Sequence, residues 1–114
     1  MSRDLARAGA VSAALAEPLA LVYKHSPICP VSTRAAREIE RFEREHPEVP
    51  VYRVDVVGDR AVSQAIAARL GVRHESPQAI LLREGTPVWH ESHGGVTATA
   101  VAGAAAAAAG QALA

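Results

Sequence analysis

Along this chain the spacing of apolar positions changes several times, and each change marks an element. After Pro18 the run Leu19-Ala20-Leu21-Val22-Tyr23 is short, continuous and apolar, as a strand buried on both faces of a sheet would be. Ser26, Pro27 and Pro30 then interrupt pairing. From Val31 the period becomes helical: Val31, Ala35, Ile39 and Phe42 share one face, and Arg34, Glu38, Arg41 and Glu45 form alternating charges at i,i+4 on the other. His46-Pro47 ends that helix. A β-branched strand follows over 51–56, and Gly58-Asp59 offers a turn and an N-cap. The next helix points Val62, Ile66 and Leu70 inward and stops at Gly71, in the position after a helix that favours glycine.

Residues 79–83 and 86–91 read as two strands joined by the tight Glu84-Gly85 turn. Gly94-Gly95 breaks the chain, and Thr97 or Thr99 caps a last helix through an alanine tract whose interest is helix propensity. At the start, Leu5, Ala8, Val11 and Leu15 follow helical spacing and predict a short amphipathic helix. The order α-β-α-β-α-β-β-α has no internal repeat and no linker, so residues 1–114 are one domain. A βαβ unit crosses over right-handedly and the hairpin adds antiparallel pairing. The expected fold class is therefore α/β, with a mixed four-stranded sheet and helices on both faces.

Composition limits what this domain does. Of the hydrophobic residues, which are 49% of the chain, 25 are alanine, while Leu, Ile, Val and Phe together number 26 of 114. That is enough for a compact core at zero net charge, and disorder is not expected. The balance of 12 basic against 12 acidic residues lacks the footprint that nucleic acid or an anionic membrane surface requires. No apolar run reaches the roughly 18–20 residues of a bilayer span. Arg3 and Arg7 ahead of Ala14-Leu15-Ala16 imitate a signal-peptidase site, yet Asp4 lies among the basic residues and the stretch is short of Leu and Ile. The expectation is a cytoplasmic protein without nucleic-acid or membrane partners.

The single cysteine, Cys29, excludes a disulfide scaffold and leaves two uses for the thiol: a small buried hydrophobe, or a reagent in a reducing compartment. Its position favours the second. Pro30 suits the first helical position because it has no N–H to leave unpaired, which makes Cys29 the N-cap residue. Sulfur there faces free backbone N–H groups and the positive end of the helix dipole, both of which favour thiolate. Lys24 and His25, just upstream, are expected to add positive charge. Asp55, at a strand end, is expected to cap the strand, the commoner use of an aspartate there. A metal site from His90, His93 and Cys29 or His74 is not expected, because structural zinc sites use four ligands with paired spacings.

Three separated segments carry a family resemblance: Lys24-His25-Ser26-Pro27-Ile28-Cys29-Pro30-Val31-Ser32, Gly71-Val72-Arg73-His74-Glu75-Ser76-Pro77-Gln78 and Val88-Trp89-His90-Glu91-Ser92-His93-Gly94. With the element order, they resemble the monothiol thioredoxin-like proteins of the bacillithiol system, the YtxJ type grouped with bacilliredoxins. The resemblance implies a thioredoxin-like fold from about residue 19 onward, preceded by the extra helix. It implies a cis bond at Ser76-Pro77, with the backbone of Ser76 pairing with bound substrate. Gly94 and Gly95 form either another wall of that groove or a plain turn before the last helix. A dithiol thioredoxin has a second cysteine three residues after the first, and this chain has Ser32. Ser32 cannot resolve a mixed disulfide, so an external thiol must. Bacillithiol is the co-substrate the resemblance supplies, bacillithiolated client proteins are the partners, and no cofactor is tightly bound. Glutaredoxins that hold an iron–sulfur cluster have glycine after the cysteine, where this chain has Pro30. The alternative is a non-enzymatic stress sensor or adaptor whose thiol is reversibly capped.

Overall fold

The computed structural model describes residues 2–113, with side chains described as far as Gly110. The elements, in chain order, are β1 (Arg3–Asp4), α1 (Ala10–Ala16), β2 (Leu19–His25), α2 (Pro30–Glu45), β3 (Val51–Asp55), α3 (Arg60–Leu70), β4 (Gln78–Arg83), β5 (Thr86–Ser92), a 3-10 turn (His93–Gly95) and α4 (Ala98–Leu113). The strands form one mixed sheet in the order β1-β3-β2-β4-β5. β1, β3 and β2 run parallel, while β4 is antiparallel to both β2 and β5.

Two expectations are corrected. The sheet has five strands and not four, because Arg3–Asp4 pairs with Tyr52–Arg53. That edge strand is two residues long and exists only through its partner, so it leaves no periodic signal. Leu5 consequently lies outside α1, though it still packs with Ala14 and Leu15 against the sheet. The first central strand also runs two residues further than its apolar run, through Lys24 and His25.

Strand alternation divides the core into two halves. Leu21 and Tyr23 of β2, Ala79 and Leu81 of β4 and Val51 of β3 pack under α2 and α4 through Ala35, Ile39, Phe42, Val101 and Ala105. Ala20, Val22, Ile80, Leu82, Tyr52 and Val54 face the other way, against Ile66 of α3 and Ala14 of α1. Alanine in α4 lets that helix lie close to the sheet face it covers: Ala98, Ala105 and Ala108 are buried with Val101. Thr97 caps α4, its Oγ1 accepting the N–H of Ala100 at 3.1 Å.

Register decides where function can sit. Lys24 of β2 lies opposite Gln78, His25 pairs with Asp55, and Gln78 pairs with Ser92. The carboxyl ends of β2, β3 and β5 and the start of β4 therefore meet at one edge. The loops 26–29, 56–59 and 71–77 and the turn 93–95 all gather there, and loops held by a rigid sheet are where ligand chemistry concentrates.

The hairpin turn at the opposite edge gives a test of the packing. Glu84 and Gly85 both have positive φ, 52° and 79°, as a two-residue turn of mirror type requires. A Cβ on Gly85 would lie 2.7 Å from the carbonyl oxygen of Leu15 in α1. Gly85→Ala is expected to destabilise the fold by about 1–3 kcal/mol in urea denaturation, through strained φ and that contact. Gly94→Ala, with open space around it and no positive φ, is the control and should change stability far less.

Candidate functional site

Cys29 occupies the N-cap of α2 in extended backbone conformation (φ −107°, ψ 121°), with Pro30 beginning the helix. Its carbonyl accepts the first helical bond from Thr33 N–H at 3.2 Å, and its own N–H donates to Ser26 O at 3.3 Å, so the loop turns back tightly before the helix starts. The thiol is partly exposed. The side chain closes no capping hydrogen bond, yet the main-chain N–H groups of Ser32 and Val31 and the Ser32 hydroxyl, against the effect of burial, hold its pKa below the ordinary cysteine value. The pattern matches the expectation drawn from Pro30.

Ser32 is fully buried. Its Oγ accepts the N–H of Ser26 at 3.2 Å, and its carbonyl accepts the hydroxyl of Tyr23 at 3.1 Å. The residue in place of a second thiol thus ties the loop 26–29 to the helix start. Tyr23 is wholly buried in β2, and its hydroxyl pKa is pushed up to about 12, chiefly by that burial, with Arg53 opposing. Because the Tyr23 proton goes to Ser32, Tyr23 Oη accepts from Nδ1–H of His25 at 3.0 Å. That bond selects the Nδ1–H tautomer and leaves Nε2 as the acceptor. Sequence reading did not single out Tyr23. Strand alternation was the available signal, since Leu21 and Tyr23 face the helix that Cys29 caps.

The expected positive charge from Lys24 and His25 is absent from the sulfur's surroundings. Lys24 points to the opposite sheet face, where its Nζ donates to Ser63 O of α3 at 3.2 Å and to His74 Nδ1 at 3.1 Å. It is fully buried, and burial pulls its pKa down to about 8. His25 is held below its usual pKa by burial first and by Arg53 second, so it is mainly neutral near pH 7. Lys24 acts as a strut: it joins the central strand to α3 and, through His74, to the loop that carries Ser76 and Pro77. Asp55 caps the strand end, its Oδ1 accepting the N–H groups of Val57 and Gly58 at 2.8 and 3.0 Å, which lowers its pKa.

The Ser76-Pro77 peptide bond is cis. Pro77 O accepts the N–H of His93 at 2.9 Å, which places the turn containing Gly94 beside it, and that turn packs on α2. Gly94 is exposed with open space around it. His93 Nε2 meets Glu75 Oε2 at 2.9 Å, tying the same two loops together. His74 is engaged by Lys24, and among the described residues no three His, Cys, Asp or Glu side chains converge as metal ligands.

A thiol at a helix start, a seryl residue three positions later and a loop bearing a cis proline, all at one sheet edge, can be compared with known proteins. Residues 5–101 match the family described as monothiol bacilliredoxin BrxC. The chain belongs to that family. Among solved structures it is similar to a protein described as a candidate oxidoreductase with a thioredoxin fold, at 30% identity and a TM-score of 0.84, covering 91% of this chain and 93% of that one. Thioredoxin from Trypanosoma brucei brucei (17% identity, TM-score 0.74, covering 94% and 89%) shares the fold. So does oxidised thioredoxin from Plasmodium falciparum (14% identity, TM-score 0.72, covering 95% and 99%). Bacilliredoxin membership and the thioredoxin fold together support a thiol-redox role. Among the described residues no helix is long and apolar enough to cross a membrane.

The Lys24 strut has a pH signature. The unfolded lysine titrates at 10.5 and the folded one at about 8, so between these values the unfolded chain binds the extra proton. Stability therefore rises with pH across that window, and the gain is lost as pH falls through about 8. In urea denaturation at pH 8 and pH 10.5, Lys24→Met should show a smaller rise between the two than the wild type. Equal rises would show that the amine is not desolvated in the fold.

Proposed function

We propose that this member of the family is a cytoplasmic monothiol thiol–disulfide oxidoreductase that removes bacillithiol, or a similar small thiol, from client proteins. The observation that carries the reading is Cys29 at the N-cap of α2 with buried Ser32 three residues on: an activated sulfur with no resolving thiol beside it. Cys29 thiolate attacks the small-thiol sulfur of the client mixed disulfide. A new S–S bond forms to Cys29, the old one breaks, and the client leaves as a thiolate that takes a proton from water. A second small-molecule thiolate then attacks the sulfur attached to Cys29, giving the symmetric small-molecule disulfide and restoring the Cys29 thiolate. The net exchange reduces the client and oxidises one equivalent of free small thiol, which leaves joined to the unit taken from the client as the symmetric disulfide.

The surrounding residues take matching parts in this scheme. N–H groups at the start of α2 and the Ser32 hydroxyl stabilise Cys29 as attacking and as leaving thiolate, the second of which speeds its release from the mixed disulfide. The backbone at Ser76, next to the cis bond, pairs with the client chain, and Gly94 leaves that groove open. Bacillithiol is a co-substrate in this reading and no tightly bound cofactor takes part.

Incubation of the reduced protein with a bacillithiolated client tests it. Wild type with free bacillithiol should release client thiol over repeated turnovers, and Cys29→Ala should release no more than the buffer. Capping of Cys29 with a single stoichiometric release of client thiol and no further turnover would favour the sensor or adaptor instead. Mixed-disulfide trapping in cells under oxidant stress should then recover one partner or a few, where the oxidoreductase would recover many.

A further inference from the structure

Beside the thiol loop lies an open cleft of about 520 Å³, lined by Arg3, Asp4, His25, Pro27, Arg53, Asp55 and Asp59 together with Ser2. That volume falls among small-molecule sites. Its place is defined by the fold: Arg53 and Asp55 come from β3, Arg3 from the added edge strand, Asp59 from the residue before α3, His25 from the end of β2 and Pro27 from the loop that leads to Cys29. Pro27 is two residues from Cys29, a reach of at most about 7 Å along the backbone, and the Cys29 N–H to Ser26 O bond shortens it further.

The charges in this cleft are of both signs and are held in place. The Arg53 guanidinium lies over the Tyr23 ring at 5.7 Å, and that of Arg3 over the Tyr52 ring at 5.4 Å. Stacking on a ring face leaves the N–H edge of a guanidinium available to a carboxylate. Among the described residues neither arginine closes an ion pair. On the acidic side, Asp59 makes no side-chain capping bond, and Asp55 engages the N–H groups of its loop through one oxygen, Oδ1. Asp4 accepts the Ala6 N–H, also through Oδ1. A purely anionic guest would face three carboxylates here, and a purely cationic one two guanidinium groups.

We propose that this cleft seats the small thiol that Cys29 exchanges with, and that it selects a zwitterionic one, carrying a carboxylate toward Arg53 and Arg3 and an ammonium toward Asp59 and Asp55. The proposal rests on the reading of Cys29 as an exchanging thiol and adds the class of its small partner. The thiol sulfur of the guest lies at the Pro27 end, and its charged groups lie along β3.

Four symmetric disulfides separate the possibilities: cystine, zwitterionic at each end; dithiodipropionate, anionic; cystamine, cationic; and hydroxyethyl disulfide, neutral. Each reacts with reduced protein at pH 7 by Cys29 thiolate attack, leaving the half-molecule on Cys29 and releasing the other half as thiolate. Intact mass follows this reaction, and each rate is divided by that of 2-mercaptoethanol with the same disulfide to remove intrinsic reactivity. Cystine should exceed each of the others by about three- to ten-fold, the scale of two partly exposed charge contacts. Arg53→Gln and Asp59→Asn should each lower the cystine to hydroxyethyl disulfide ratio. Equal normalised rates, a preference for a singly charged or neutral disulfide, or a ratio unmoved in both variants overturns the assignment of the cleft while Cys29 exchange stands. No reaction with any of the four overturns both.

Discussion

A helix that opens on proline has to leave its first N–H groups to whatever side chain precedes it, and in this protein that side chain is sulfur. The N–H groups of Val31 and Ser32 and the Ser32 hydroxyl lower the pKa of Cys29, and none of them is a formal charge. The cations nearest in sequence are engaged elsewhere or held neutral, so the thiolate depends on the geometry of the helix start. Such stabilisation falls off within the first turn. The position of the loop 26–29 relative to α2 therefore matters more than the overall charge of the protein, which is zero.

The central strand β2 supports that geometry from both faces. On one face Tyr23 reaches the Ser32 carbonyl and receives His25, so the floor of the thiol loop is a buried hydrogen-bonded chain. On the other, Lys24 binds α3 and the loop leading to Pro77. Successive residues of one strand thus brace the two loops a thiol-exchange site needs. Burying an amine is costly unless it is bonded, and Lys24 has two partners. The alternation that gives the sheet two cores also distributes these polar contacts.

Much of the architecture was legible in the sequence because the signals are local. The apolar stripe of α2, Gly71 after α3 and the Glu84-Gly85 turn each impose their conformation over a few residues, and the structure has them where the pattern predicts, except that Val31, in the first turn of α2, is exposed while Ala35, Ile39 and Phe42 are buried. The position of Cys29 at the N-cap was readable from Pro30 alone. What was not legible depends on tertiary pairing. β1 is defined only by hydrogen bonding to β3. The burial of Lys24 overrides what a lysine at the end of an apolar run suggests, because its amine finds the Ser63 carbonyl 39 residues away. The arginines of the cleft come from two strands whose adjacency no local period encodes. Family resemblance supplied the cis bond at Ser76-Pro77, which the residues by themselves would have left trans by base rate.

The most direct test of the central claim is the pKa of the Cys29 thiol in the wild-type protein, read from the pH dependence of its alkylation rate. An alkylation midpoint clearly below the free-cysteine value of about 8.5 is the result expected of a sulfur held by the α2 N–H groups and the Ser32 hydroxyl. A midpoint at or above that value would mean that the helix start does not stabilise the thiolate, and would contradict the account at its root.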